Sequence, residues 1–357
     1  MSFTVRVVNR NGELAVEMGE TILEAALKAG LPYPHGCRSG NCGACKSELV
    51  DGEVELAPYS EYALSQAERD QGLVLACRSV PWSDCAVRWL DPSESVAHPI
   101  RHLGCRVAGI EDATHDIRIV RLAIESGGPF DFSPGQYAQV TFAGLPARDY
   151  SMASRPGEKL VEFHIRAAEG GVVSQYVAKR LGEGDEVKLI GPYGAAHLRE
   201  SHRGPIVALA GGSGLAPIKA IVEQALAKGM EQDITLYFGV RAERDLYLEE
   251  HFKRLGEEYP NLNFIPVLSE PDASEPDASE PDASGTDGPG ERRTGFLADA
   301  LAADFTELDG AKAYLAGPPI MVETCTEALA KLGLRRQDVH ADAFYTEADK
   351  AKLESCA

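Results

Sequence analysis

Three patterns of hydrophobic and polar positions follow one another along the chain. Near the start, apolar and polar residues alternate over 3–8 and 13–16, which predicts two strands joined by the turn Asn9-Arg10-Asn11-Gly12. Thr21-Ile-Leu-Glu24 has the form of a capping box and predicts a helix with Ile22, Leu23, Ala26 and Leu27 on one face, stopping at Gly30. Between residues 100 and 200 the pattern changes to short β-type runs at 104–110, 117–124, 136–142, 160–166 and 186–190, with turn residues between them. That spacing predicts a small antiparallel barrel with one helix at 172–181 that ends at Gly182. From 203 to 345 strands and helices alternate: strands at 205–210, 233–240, 263–268 and 311–316, helices at 215–228, 245–257 and 320–332. This is the signature of a parallel α/β sheet with a crevice at the strand C-termini.

The expected domains are therefore an α+β domain at 1–95, an antiparallel β-barrel at 100–200 and an α/β domain at 203–345. Asp91 to Pro99 has no periodicity and two prolines, and reads as a linker. A length of 357 residues suits this number of cores.

Charge narrows the choice of partners. A net charge of -20 disfavours nucleic acid or an anionic membrane, since polyanions need a basic surface. The first residues carry no basic, apolar leader, and the weakly polar run 205–218 is broken by three glycines and Pro217. A cytoplasmic monomer is expected. Ser269-Glu-Pro-Asp-Ala recurs at 274 and 279, opening an acidic low-complexity loop at 269–291 without Lys or Arg. Such a composition predicts a solvated surface loop, with steering of a partner as a second role.

Chemistry enters with the cysteines. Cys37, Cys42 and Cys45 are spaced Cys-x4-Cys-x2-Cys, and Cys77 follows alone, which matches the plant-type [2Fe–2S] ligand pattern. Zinc also takes four thiolates, but structural zinc favours two separated Cys-x2-Cys pairs, whereas three of these share one glycine-rich loop. Cys85, Cys105, Cys325 and Cys356 have no metal or redox spacing and read as plain thiols.

Two further segments carry binding groups. Arg148-Asp-Tyr-Ser-Met-Ala-Ser154 puts a cation, an aromatic face and a hydroxyl on one extended strand, the three things a flavin needs. An edge strand with a surface arginine would look the same, but Gly170-Gly171-Val172 and Ser174 then open a helix whose free N–H groups favour phosphate. In the last domain Gly211-Gly212-Ser-Gly214 is a glycine turn after a strand, and Ala316-Gly317-Pro318 another. Neither is the Gly-x-Gly-x-x-Gly fingerprint. After the second strand, Arg241 and Arg244 could grip a 2′-phosphate while Glu243 and Asp245 would repel one, which favours NADH over NADPH.

Residues 1 to about 92 resemble the plant-type ferredoxin family, which implies a β-grasp fold and Cys37, Cys42, Cys45 and Cys77 as cluster ligands. The two later domains resemble the ferredoxin–NADP reductase superfamily. By that resemblance FAD is the flavin; Arg148 meets its phosphate, Tyr150 stacks on its ring, Ser151 lies near its reactive edge, and Ser174 with Gly171 and Val172 binds pyrophosphate. His164 and Arg166 would assist, although His164 could equally be a satisfied barrel histidine. Gly211, Gly212, Gly214, Gly317 and Pro318 would hold the nicotinamide nucleotide. Ala316 stands where many members carry Cys, which leaves the turn but removes a thiol from the hydride path. Phe344 or Tyr345 would cover the flavin, or simply pack.

The domain order resembles the reductase components of bacterial aromatic-ring-hydroxylating dioxygenases. The implied function is electron transfer from NADH through FAD and the 2Fe–2S cluster to a Rieske-type oxygenase or its ferredoxin, with Arg38, Ser39 and Asn41 as an expected docking edge. Reductases of soluble di-iron monooxygenases and a CDP-6-deoxy-glucoseen reductase-like enzyme share this order. A non-catalytic electron carrier is the alternative of a different class. A self-contained oxygenase is disfavoured, because no Rieske Cys/His pair, haem motif or facial triad is present.

Overall fold

The structure, a computed structural model, describes residues 2–346 apart from 11, 32, 37, 41, 42, 62, 91–95, 97 and 271–291. These residues form two compact units. One comprises the chain through residue 98 together with 193–196 and the segment from 342; the other comprises 99–192 and 197–341. The acidic repeat from 271 onward lies outside the described residues.

In the first unit the predicted hairpin forms from β1 (Ser2–Val7) and β2 (Gly12–Glu17). The capping box of α1 (Ile22–Lys28) closes in both directions: Glu24 N donates to Thr21 Oγ1 at 3.2 Å and Thr21 N to Glu24 Oε2 at 2.9 Å. Then follow β3 (Lys46–Asp51), β4 (Val54–Leu56), α2 (Gln66–Asp70), β5 (Leu73–Leu75), β6 (Ser79–Pro81) and β7 (Cys85–Trp89). The five-stranded sheet runs β2-β1-β7-β3-β5, with β1 parallel to β7 and the other pairs antiparallel. A helix crossing such a mixed sheet is the β-grasp arrangement. Ile22, Leu23 and Ala26 of α1 share one core with Val5, Val87 and Trp89.

The second unit begins with the barrel: β8 (Arg101–Asp112), β9 (Ile117–Ser126), β10 (Tyr137–Phe142), β11 (Arg148–Ser151), β12 (Val161–Arg166), α3 (Val172–Lys179) and β13 (Glu186–Tyr193). The sheet order is β11-β10-β13-β8-β9-β12. Its ends meet where Met152 bridges Phe163 and Ala153 N donates to Glu162 O at 2.8 Å, which removes the open edges. Val140, Phe142, Phe163 and Ile165 fill the interior.

Strands and helices then alternate as the pattern predicts: β14 (Ile206–Gly211), α4 (Leu215–Ala227), β15 (Ile234–Val240), α5 (Glu249–Glu258), β16 (Leu262–Leu268), β17 (Arg293–Thr294), α6 (Leu297–Asp304), β18 (Lys312–Gly317), α7 (Pro319–Lys331) and β19 (Val339–Ala343). The sheet runs β17-β16-β15-β14-β18-β19, and every residue of β14 is buried, as a central parallel strand covered on both faces must be. The helix expected from 245 starts four residues later. Asp245 Oδ2 accepts from Ala242 N at 3.4 Å in a tight turn, and Leu248 takes φ 56°, which no helix can continue through. Barrel and parallel sheet belong to one compact unit.

Candidate functional site

The predicted cysteine loop fills the interval between α1 and β3. Cys45 and Cys77 are both buried, and Cys77 N donates to Cys45 Sγ at 3.4 Å, so the lone cysteine is brought to the loop. Ser60 N donates to Gly40 O at 3.0 Å and Ala76 N to Cys45 O at 3.1 Å, which pins the loop from two sides. Gly40 and Gly43 take φ +78° and +72°; a methyl on Gly43 would stand 2.9 Å from Ala63 O. Only glycine fits there. Cys37, Asn41 and Cys42 lie outside the described residues.

Arg38 and Arg78 flank this loop in sequence next to Cys37 and Cys77. Nε and Nη2 of Arg38 and Nε of Arg78 are buried without a hydrogen-bond partner among the described residues. Buried N–H groups without acceptors call for an anion, and a thiolate-ligated 2Fe–2S cluster is one, so the residues present fit the group. Arg38 lies half-buried with its guanidinium 3.9 Å over the ring of Tyr193, and does not project as the docking edge expected of it. Burial pushes the remaining described thiols up, to about 11 for Cys105 and about 12 for Cys325, and raises Cys85 as well, which keeps all three protonated.

The Arg-x-Tyr-Ser segment forms β11 and pairs with β10, Ala138 opposite Tyr150 and Tyr137 opposite Ser151. Strand alternation puts Arg148 and Tyr150 on one face and buries Ser151 on the other. Tyr150 packs on the barrel core with its ring 6.3 Å edge-to-face from Phe142, and burial pushes its phenol up to about 12 against the pull of Arg148. It is thus a neutral aromatic plate. Arg148 Nη1 donates to Ala147 O at 2.9 Å, and among the described residues no carboxylate neutralises it. Such a cation beside a half-open ring fits a flavin phosphate and isoalloxazine.

At the start of α3, Ser174 Oγ accepts from Ala168 N at 3.1 Å and donates to Gly171 O at 3.3 Å. Ser174 therefore shapes the turn that presents Gly171 and Val172 at the helix N-terminus. His164 and Arg166 sit on the outer face of β12 but meet protein partners. Arg166 Nε donates to Asp116 Oδ2 at 2.7 Å, while His164 is buried with Nδ1 2.9 Å from Tyr247 Oη and Nε2 3.2 Å from Glu162 Oε1.

The two glycine turns of the parallel sheet are side by side because β14 pairs with β18, Ala210 opposite Ala316. A methyl on Gly211 would lie 2.5 Å from Met321 Sδ and 2.9 Å from Pro318 Cδ; one on Gly214 would lie 2.0 Å from Ala316 O. A methyl on Gly317, at φ +149°, would stand 3.0 Å from Gly211 Cα and from Gly211 O. Gly211, Gly214, Gly317 and Pro318 thus form one continuous backbone floor at the strand C-termini, where open α/β sheets bind nucleotides. Gly212 faces the barrel: a methyl there would stand 3.4 Å from Arg166 Nη1.

Arg241 is engaged, its Nε 3.2 Å from Asp245 Oδ2 and its Nη2 4.0 Å from Asp116 Oδ2, and Glu243 pairs with Arg292. Phe344 and Tyr345 belong to the unit of the cysteine loop, Tyr150 and Ser151 to the other. Sequence reading missed Glu162, Lys219 and Tyr247. Glu162 and Lys219 look like ordinary surface charges in a chain where a quarter of the residues are charged, and Tyr247 looked like a helical residue.

Comparison with known proteins finds three family patterns along the chain. The pattern of a 2Fe-2S iron-sulfur cluster binding domain matches residues 6–81, that of an oxidoreductase FAD-binding domain 104–198, and that of an oxidoreductase NAD-binding domain 208–327. The chain is 41% identical to the ferredoxin–NAD(P)(+) reductase component of the naphthalene 1,2-dioxygenase and salicylate 5-hydroxylase systems of a Ralstonia species, over 94% of this chain and 96% of that one. It is 39% identical to the corresponding component of the Pseudomonas putida naphthalene 1,2-dioxygenase system, over 92% and 94%. Among solved structures, an Amycolatopsis cytochrome P450 reductase superposes with a TM-score of 0.75 at 35% identity, covering 96% of this chain and 98% of that one. Among the described residues no helix is long and apolar enough to cross a membrane.

Proposed function

The chain belongs to the family of iron–sulfur flavoprotein reductase components that serve multicomponent oxygenase systems, and from that membership we propose that it takes electrons from NADH and delivers them to a Rieske-type oxygenase or its ferredoxin for aromatic ring hydroxylation. The observation that carries the reading is the continuous floor of Gly211, Gly214, Gly317 and Pro318, with Gly212 turned toward Arg166 of the barrel. When bound, FAD supplies a two-electron hydride acceptor and the 2Fe–2S cluster a one-electron carrier, the conversion that a nicotinamide-driven oxygenase requires.

The chain's own residues do the binding and orienting. Arg148, without a carboxylate partner among the described residues, would neutralise flavin phosphate; Tyr150 offers a neutral ring face; Ser151 and the α3 start at Gly171 would hold the polar edge and pyrophosphate. The reading takes NADH as the coenzyme: Arg241, the side chain that could grip a 2′-phosphate, is already engaged by Asp245, and Glu243 stands beside it.

An anaerobic titration with NADH and, separately, NADPH tests this by visible absorption. Flavin bleaching together with loss of the cluster bands is expected, at lower concentrations of NADH than of NADPH. A spectrum that ignores both nucleotides would make the chain a mere electron carrier, and a bleached flavin beside an unchanged cluster would remove the path.

A further inference from the structure

On a free-standing barrel the outer face of β12 would be wet. Val161, Phe163 and Ile165 point inward, and the alternate residues Glu162 and His164 should meet solvent. They do not. The His164 side chain is fully buried and that of Glu162 is only 12% exposed, because α4 and Tyr247 cover them. The contacts of Glu162 and His164 across this face are made by polar groups of Lys219 and Tyr247.

Glu162 is the centre. Its Oε2 accepts from Arg121 Nε at 2.7 Å, and its Oε1 lies 3.2 Å from His164 Nε2 and 3.3 Å from Lys219 Nζ. Lys219, in the second turn of α4, also donates to Ala153 O at 3.2 Å and pairs with Glu223 Oε2 at 3.2 Å. Glu223 in turn meets His251 Nε2 at 2.6 Å. Burial works to raise the Glu162 carboxyl, but the hydrogen bond from His164 and the charge of Lys219 outweigh it and hold the group well below the usual carboxylate range. An ionised Glu162 is acceptor-only, so His164 gives it the Nε2 proton. Burial lowers the imidazole pKa and keeps the ring neutral, which leaves Nδ1 to accept from Tyr247 Oη at 2.9 Å. With its one proton given to His164, Tyr247 Oη touches Gly212 O at 3.4 Å as a weaker, shared contact.

This chain of contacts starts two residues beyond the Arg-x-Tyr-Ser segment, at Ala153, and ends on the glycine turn of β14. Apolar residues of equal volume could hold two surfaces together as well or better, so what this network contributes is register rather than strength. Directional hydrogen bonds fix it.

We propose that Glu162, His164, Lys219 and Tyr247 are positioning residues that set the register between the flavin-binding strands and the nicotinamide glycine turn, and through it the distance of hydride transfer. The inference rests on the NADH-to-flavin reading above. None of the four touches the reacting atoms.

Tyr247→Phe removes one hydroxyl at constant volume, Lys219→Met removes the link to Ala153 O and Glu162, and Lys219→Arg restores the charge. In the full-length protein loaded with FAD and cluster, anaerobic stopped-flow mixing with NADH reads the flavin-reduction rate and the NADH dissociation constant separately. Tyr247→Phe and Lys219→Met are expected to slow flavin reduction about 10-fold, since sub-ångström to ångström misplacement of reacting groups costs that much or more. The dissociation constant and flavin midpoint potential should stay within about 2-fold and unchanged, respectively, and Lys219→Arg should recover most of the rate. Wild-type rates in both variants would overturn the proposal, as would a slower rate that merely follows lost flavin, a lowered melting point or weaker NADH binding. A wild-type flavin that NADH does not reduce would instead overturn the underlying reading.

Discussion

Replacing Gly214 by alanine isolates the contact between the two glycine turns. Gly214 has φ -61° and ψ -13°, so alanine adopts its backbone without strain, and the whole effect is steric. The added methyl would lie 2.0 Å from Ala316 O, 2.4 Å from Ala316 C and 2.8 Å from Gly317 N, against a floor of 3.0 Å for real contacts. All three neighbours are backbone, so no side chain can swing away. The β14–α4 turn must move by about 1 Å from the β18–α7 turn, enough to cost about 100-fold in a reaction that depends on alignment. Overpacking of this kind costs about 1–3 kcal/mol of stability.

Gly229→Ala is the matched control. Gly229 has φ +67° with nothing within 4 Å of an added methyl, so the change costs about 1–2 kcal/mol by backbone strain alone at the far end of α4. Steady-state kcat/KM for NADH with ferricyanide, read beside thermal unfolding, should separate the two. Gly214→Ala should lose about 100-fold in kcat/KM, with the flavin and cluster spectra intact, while Gly229→Ala keeps wild-type kinetics at a similar loss of stability. If Gly214→Ala turned over NADH normally, the paired turns would not be the nucleotide floor.

Two further outcomes follow from the same geometry. Cys77→Ser should lose the cluster absorption and its iron, retain NADH-to-ferricyanide turnover, and fail to reduce a one-electron protein acceptor; iron analysis showing a full cluster would remove Cys77 from the ligand set. His164 and His340 are held below the ordinary histidine pKa, burial being the largest cause in each case, so between that depressed value and about 6.5 the unfolded chain binds more protons than the folded one. Stability should be level above about pH 7 and fall as pH drops below about 6.5, by at most roughly 1.4 kcal/mol per pH unit for each histidine. Urea midpoints at pH 7.5, 6 and 5 check the sign, and a rise in stability toward pH 5 would refute it.

The sequence was most legible where local chemistry dictates local shape. The Thr21/Glu24 capping box, the all-apolar β14 and the glycine turns needed no tertiary information, because caps, buried parallel strands and close backbone approaches each leave a composition of their own. The late start of α5 has a physical reason too. Residues 245–248 carry helix-forming side chains, but the Asp245 carboxylate caps Ala242 N and Leu248 turns left-handed, so the helix waits until Glu249. What stayed hidden is what only folding creates. Glu162, His164 and Lys219 lie 57 residues apart from first to last and acquire meaning only when α4 lands on β12.

That division also explains the alanine at 316. Where a thiol is expected, Ala316 presents a small side chain that is buried in β18, yet the group in contact with Gly214 is its carbonyl oxygen. The turn into Gly317 and Pro318 is therefore held by main chain and survives the exchange. On the proposed reading, binding of the dinucleotide would be a property of this backbone floor and would not depend on the side chain at 316. Aligning the reacting faces is a different task, and on the proposal above it falls in part to the side chains that join β12 to α4 and to the Gly212 turn. A substitution at 316 should therefore act on transfer through the space it leaves above the floor, whereas substitutions at Lys219 or Tyr247 should act through the angle at which barrel and floor meet.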